Sequence, residues 1–281
     1  MLNNNLQLSK IKTKNQKKDK VVVKPTSVPL MIEKEFYSQI RAYNTNFKKA
    51  VRAFIFPLIE SYSKITRDSI TKDGIGDDIN NALELLKNQF NFTQEAERIS
   101  KNMVNRVTNI NGKKTIQTVN NAIGVDVGNI INSENLSEFV EMQQIQNSEL
   151  IKNVPGQAIE DIRRIVLNGL TNGLRADEIT QQISGNIPSS VFNKMNNRIK
   201  TIARTEVAKL NSQITNRRLT NLGITRAIWD ATMDKRTRAC HAARDGQEFD
   251  INEGLYSSCD GLTIKPAEQI NCRCVARPIV E

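Results

Sequence analysis

The segment 201-TIARTEVAKLNSQITNRRLTNLGITRAIWDAT-232 contains the change of pattern that decides the fold. Up to Leu222 its apolar residues recur at helical steps. Ala203, Val207, Leu210 and Ile214 share one face and continue a stripe that includes Ile199. Gly223 stops the helix, since glycine readily takes the left-handed conformation that closes a helical C-terminus. Beyond it the period becomes two. Ala227, Trp229 and Ala231 fall on one side of an extended chain, which predicts a strand over 224–232.

The same reading extends in both directions. Downstream come an Asp245-Gly246 turn, a short strand over 247–249, a loop containing Gly254 and Gly261, and a last strand over 273–279. Upstream the chain is helical. The helix over 190–222 follows a shorter one with Ile179 and Ile183, ended by 185–188. Before that lies a helix with Ile159, Ile162, Ile165, Val166 and Leu170, which starts after a break at Val154-Pro155-Gly156 and ends near Gly173. Earlier, Phe36, Ile40, Tyr43, Phe47, Val51 and Phe54 form an apolar stripe, with Pro57 expected to kink or end it. Further helices are expected over 78–90, after Thr93 as N-cap, after an Asn111-Gly112 turn, and around Phe139, Met142 and Ile145; residues 124–135 fit strand or helix. The fold class is α+β, predominantly α: a long helical N-terminal region, then a small C-terminal α+β module with a short antiparallel sheet. The expected division is 1–29 as a disordered arm, 30–150 as a helical region and 151–281 as the module.

Charge is unevenly spread. The chain is +10 overall, and residues 1–25 carry Lys10, Lys12, Lys14, Lys17, Lys18, Lys20 and Lys24 against the single acid Asp19. These seven lysines are the candidate nucleic-acid contacts; a solvated tail without a partner is the plainer reading. Residues 190–220 hold seven Lys or Arg against Glu206. Arg204 and Arg218 on a shared helical face could follow phosphates, although no aromatic residues interleave for base stacking. Apolar runs fall short of a membrane span, and the N-terminus has no apolar core of a secretory signal, so a soluble protein made in a cytoplasm is expected.

All four Cys and the one His lie between Cys240 and Cys274. Cys240-His241 and Cys272-Arg273-Cys274, folded together, would offer zinc three thiolates and an imidazole. The spacing is not that of a standard finger or ribbon. Two alternatives stand beside it: a disulfide of Cys240 with Cys272 or Cys274, and plain buried thiols with a packed histidine. A Cys/His dyad lacks a visible oxyanion loop, a single His argues against an HNH-type nuclease, and Glu206 has no evident catalytic partner, so no enzyme is expected. The ARTE turn, 203–206, reads instead as a tie between helix and sheet.

Taken together, "DIRRIVLNGLTNGLRADEITQQI", "TIARTEVAKLNSQITNRRLTNLGI", "WDATMDKRTRACHAARDGQEF" and "KPAEQINCRCVARPIV" resemble, in this order, the phage Mu F-like head morphogenesis domain over about 130 residues. The resemblance implies a minor capsid protein of a tailed phage, present in few copies. It would associate with the portal during prohead assembly, in the capsid interior or at the portal vertex, and influence DNA packaging or ejection. Partners would be the portal protein, the major capsid or scaffolding protein, and phage DNA through the arm, with no membrane. The shared His and terminal Cys pair map onto His241, Cys272 and Cys274, with Cys240 and Cys259 less clearly part of the pattern. Some relatives carry a toxin domain after this module; none is expected here, where the sequence stops at Glu281. The rival reading is a metal-supported DNA-binding or DNA-processing protein.

Overall fold

The structure, a computed structural model, describes residues 20–63, 75–89 and 92–280. It is α+β and mainly helical, as the periodicities predict. Two compact units are drawn from Met1–Glu33, Met103–Gln143 and Arg204–Glu281 for one, and from Lys34–Asn102 and Gln144–Ala203 for the other. Each is discontinuous, so this division differs from 1–29, 30–150 and 151–281. No described helix is long and apolar enough to cross a membrane.

The second of these units is all-helical. Helix α1 (Leu30–Ala50) runs into a π-helical turn (Val51–Ile55) and then α2 (Phe56–Ser63). The buried stripe is Phe36, Ile40, Phe47, Val51, Ile55 and Ile59, whereas Phe54 is exposed. The π turn explains both this correction and the survival of the helix at Pro57. The backbone N–H of Phe56 reaches back to the carbonyl of Val51, and Pro57 falls in a first turn, where its missing N–H is not needed. In chain order the further helices are α3 (Ile75–Gln89), α4 (Phe92–Ile123), α5 (Gly128–Asn132), α6 (Ser137–Thr171), α7 (Ala176–Ser184) and α8 (Val191–Asn221); α5, α4 from Met103, α6 to Gln143 and α8 from Arg204 belong to the other unit. Residues of α4 begin before Thr93, which is therefore not its N-cap. The expected break at Val154-Pro155-Gly156 is absent: α6 continues through Pro155. Interior proline costs roughly 3 kcal/mol. Burial of Ile151, Val154, Ile159, Ile162 and Val166 outweighs that, at about 1.5–3 kcal/mol for each such side chain.

The other unit holds the sheet. Its order is β1-β6-β2-β3, all antiparallel, from β1 (Val21–Val22), β2 (Arg226–Asp230), β3 (Glu248–Asp250) and β6 (Val275–Val280). A separate hairpin, β4 (Leu255–Ser257) with β5 (Leu262–Ile264), occupies the stretch expected to be a loop. Trp229 and Phe249 lie in the core with Val119, Val127, Leu219, Leu222 and Ile251. Residues 124–135 resolve as the helical turn α5, whose Ile131 joins this core.

The expected disordered arm needs correction beyond residue 19. Residues 1–19 lie outside the described residues. Val21 and Val22 pair with Val280 and Ile279, Val23 is buried, and the Thr26 carbonyl accepts a bond from the Asn211 amide. The alternation of Val21 and Val23 against an open edge of β6 supplies the reason, hidden in the sequence by the lysines on either side.

The Asn111-Gly112 turn is also absent, because α4 continues through it. Asn111 is fully buried and donates to Asn211 and Thr215 of α8 at 2.9 and 2.7 Å. Gly112 leaves room for the guanidinium of Arg218, which would lie 3.3 Å from a Cβ there. That guanidinium bonds Glu134, the Thr108 carbonyl and the Asn111 side chain. Arg218 is only 4% exposed, so it cannot belong to a phosphate-tracking face with Arg204. An exposed helical Gly→Ala change stabilises by about 1 kcal/mol. Gly112→Ala is expected to do the reverse, by roughly 1–3 kcal/mol, because the fixed guanidinium has nowhere to retreat. Chemical unfolding of the full chain reads the sign directly.

Candidate metal centre

The C-terminal module is assembled around a buried cation. Arg244 follows the short helix α9 (Ala239–Ala242) and is 0% exposed. Its guanidinium donates to both carboxylate oxygens of Asp260, at 3.0 and 2.8 Å, and to the carbonyls of Cys240, Leu255 and Leu262. It also lies 5.5 Å from the Trp229 ring. These bonds join α9 to both strands of the hairpin, and the Arg244 guanidinium holds the Asp260 carboxyl below the usual carboxylate range.

Beside this assembly, His241, Cys272 and Cys274 meet, all buried. One ring nitrogen and the two sulfurs lie within 4.8 Å of one another, and His241 Nδ1 is 3.4 Å from each sulfur. The other ring nitrogen, Nε2, is 2.8 Å from Gln269 Oε1. Nε2 also lies 3.4 Å from Arg238 Nη1; with the proton on Nε2, toward the closer Gln269 oxygen, the Nδ1 lone pair faces the sulfurs, the orientation a metal-ligating imidazole takes. Trp229 packs edge-on against the imidazole at 5.9 Å.

Several local features aim the Cys-Arg-Cys turn. Asn271 has φ 57°, and its backbone N–H bonds the Thr205 hydroxyl on α8 at 3.0 Å. Arg273 points outward and grips Asp234 with two bonds, at 2.6 and 2.7 Å. Both sulfurs therefore face inward. Within the ARTE turn the tie to the sheet region is Thr205, not Glu206, whose carboxyl burial pushes up while Lys209 opposes. The two thiols share a proton unequally. The Cys274 thiol donates to Cys272 and holds it below the usual thiol range against the opposing effect of burial, while Cys274, as donor and desolvated, is pushed up.

A divalent ion fits this donor set. Tetrahedral zinc with bonds of about 2.3 Å to sulfur and about 2.0 Å to nitrogen separates its sulfur and nitrogen ligands by roughly 3.6 Å, close to the two 3.4 Å separations here. Among the described residues the buried Trp229 Nε1 has no nitrogen or oxygen acceptor, and its hydrogen bond favours the thiolate of Cys274. Thiolates and a neutral imidazole suit zinc.

Of the four expected ligands, the structure brings together His241, Cys272 and Cys274. Cys240 is a correction: it is bonded to Cys259, with the two Cα atoms 5.3 Å apart, and the expected disulfide partners Cys272 and Cys274 are free thiols. The cause is helical. Cys240 and His241 are neighbours on α9, about 100° apart around its axis, so they face different surroundings. The partner Cys259 sits in the turn between β4 and β5, a hairpin the sequence reading treated as a loop. Of the seven candidate nucleic-acid lysines, Lys10, Lys12, Lys14, Lys17 and Lys18 lie outside the described residues. Lys20 lies 3.5 Å from Glu248, and Lys24 is exposed. Arg244, Asp234 and Gln269 were missed as site residues, although Asp234 and Arg244 are charged residues flanking the Cys-His pair. Thr205→Val, nearly isosteric but without the hydroxyl, is expected to cost about 1–3 kcal/mol by leaving the Asn271 N–H unsatisfied; thermal unfolding beside Thr205→Ser, which keeps the hydroxyl and loses only the methyl, checks it.

Residues 160–277 match the family described as Phage Mu protein F like protein. An uncharacterized protein of Haemophilus influenzae is 29% identical over 190 residues, covering 67% of this chain and 40% of that protein. The NAD(+)–arginine ADP-ribosyltransferase EFV of Enterococcus faecalis is 28% identical over 131 residues, covering 43% of this chain and 26% of the enzyme. The chain thus spans less than half the length of these curated relatives. No solved structure matches it significantly.

Proposed function

The chain carries a Phage Mu F-like module over residues 160–277, and on that premise we propose that it is a minor head protein of a tailed bacteriophage. In this reading it associates with the portal during prohead assembly, resides in the virion, and assists DNA packaging or ejection. It acts by docking and not by turnover. The observation that carries the reading is the family match over the unit's α8, sheet and Cys/His corner. The likeness to an ADP-ribosyltransferase covers 26% of that enzyme and lends no activity to this chain.

Zinc held by His241, Cys272 and Cys274 would staple α9 to the turn before β6 and so brace the docking module. Its contribution would be structural, since metal-binding free energy becomes folding free energy when the unfolded chain has no such site. Elemental analysis of the purified protein should find about one zinc per chain, lost in His241→Ala and in Cys272→Ser. Absence of metal from all samples would leave a packed thiol cluster and no staple.

Co-expression with the portal protein of the same phage tests the partner. Deleting residues 1–19 is expected to leave co-purification intact and to weaken DNA retention, with DNA affinity falling steeply as salt rises. Deletion must stop there, because residues 21–23 belong to the sheet and its core. Loss of portal binding on that deletion would place the interface in the arm and defeat the docking role given to the module.

A further inference from the structure

We infer that the metal centre is open, and that its fourth position takes an anionic oxygen, a carboxylate or phosphate oxygen from outside this chain, within the arginine-lined cavity beside it. The inference rests on the metal-binding reading above and adds what completes the site.

The chain has four Cys and one His. Two of the Cys, Cys240 and Cys259, are joined to each other. The remaining thiols and the imidazole are already in the group of three, and among the described residues no carboxylate joins them. Purely structural zinc sites close with four protein ligands, whereas three protein ligands leave a position for water or another ligand. Here all three donors border a cavity of about 210 Å³. The open position therefore faces space, not packed side chains.

The lining of that cavity selects the ligand. Arg204, Arg236, Arg238 and Arg273 are among its lining residues, Arg273 with its guanidinium turned to Asp234. Opposite charge is smaller: Asp234 pairs with both Arg273 and Arg236, and Glu33 lies 3.7 Å from Arg204. Arg238 contacts neutral groups, the oxygens of Gln269 and the Ile270 carbonyl and, at 3.4 Å, His241 Nε2. Zinc with two thiolates and a neutral imidazole has no net charge, so an anionic fourth ligand adds one negative charge. The guanidinium excess compensates it, and guanidinium groups match planar oxyanions in geometry as well. Exchange needs only that the anion replace a bound water.

Cobalt(II) loaded into the full chain in place of zinc reports coordination through its visible absorption. Acetate and inorganic phosphate, titrated separately against chloride at equal ionic strength, are expected to shift the spectrum saturably. The tighter of the two identifies the source as carboxylate-like or phosphate-like. Arg204→Ala/Arg236→Ala is expected to weaken that anion roughly tenfold while leaving cobalt stoichiometry unchanged, the loss of about 1.4 kcal/mol of attraction. Cobalt uptake with a spectrum indifferent to both anions would overturn the inference and leave the metal reading standing. A thiolate-to-cobalt absorption larger than two thiolates give, falling to the two-thiolate level in Cys240→Ser/Cys259→Ser with cobalt still bound, would overturn it differently, by showing that Cys240 closes the site. No cobalt uptake by the unaltered chain would remove the metal reading itself, and the inference with it.

Discussion

A guanidinium with no access to water organises the C-terminal module. A buried charge is tolerated only when it is paired and its donors are used. Arg244 meets both demands with one carboxylate and three backbone carbonyls. Those carbonyls belong to α9 and to both strands of the β4–β5 hairpin, so satisfying the charge fixes where these pieces lie. The disulfide from α9 to the hairpin turn repeats the same connection covalently. Trp229, with Arg244 near its ring and His241 against its edge, passes the arrangement on to the Cys/His corner. Such a network defines one geometry more than it adds stability, because apolar packing of equal volume often serves stability as well.

The same logic recurs along α4 and α8. Arg218 and Glu134 are 4% and 10% exposed and pair inside the unit that holds the sheet. Asn111, Asn211, Thr215 and Thr26 form a chain of buried hydrogen bonds beside them. A glycine and an asparagine that signal a turn in isolation are here demanded by a partner a hundred residues away. Local preference for a turn is worth about 1 kcal/mol, less than a set of satisfied buried polar groups whose exposure to an apolar interior would cost several times more.

The Cys/His corner shows how far residue type alone can go. Two cysteines separated by one residue point the same way only if the residue between them turns outward. Arg273 does so because Asp234 holds it there, and Asn271 adopts a left-handed backbone that Thr205 anchors. The imidazole is aimed by Gln269. None of these supports belongs to the Cys/His set, and they come from α8, the loop after β2 and the segment before β6. The centre is thus an outcome of how α8, α9 and the segment before β6 come together.

The order of elements was legible in the sequence. Periods of 3.6 and 2 depend only on which side chains seek the core, so the helical character of the chain and the strands β2, β3 and β6 could be read, although the local pattern divides two helices at breakers that the structure runs through. So could the concentration of thiols and imidazole in the last quarter of the chain, and with it His241, Cys272 and Cys274. What only the tertiary structure decided were the places where a distant partner outweighs a local signal. The helix continues through Pro155 and Gly112 because buried neighbours repay what is lost locally. Val21 and Val22 become a strand because β6 offers an edge. Cys240 leaves the group of donors because a helical step turns it from its neighbour toward a thiol in a hairpin that no local pattern announced. A sequence lists the donors; only the packed chain determines which of them can point at the same place.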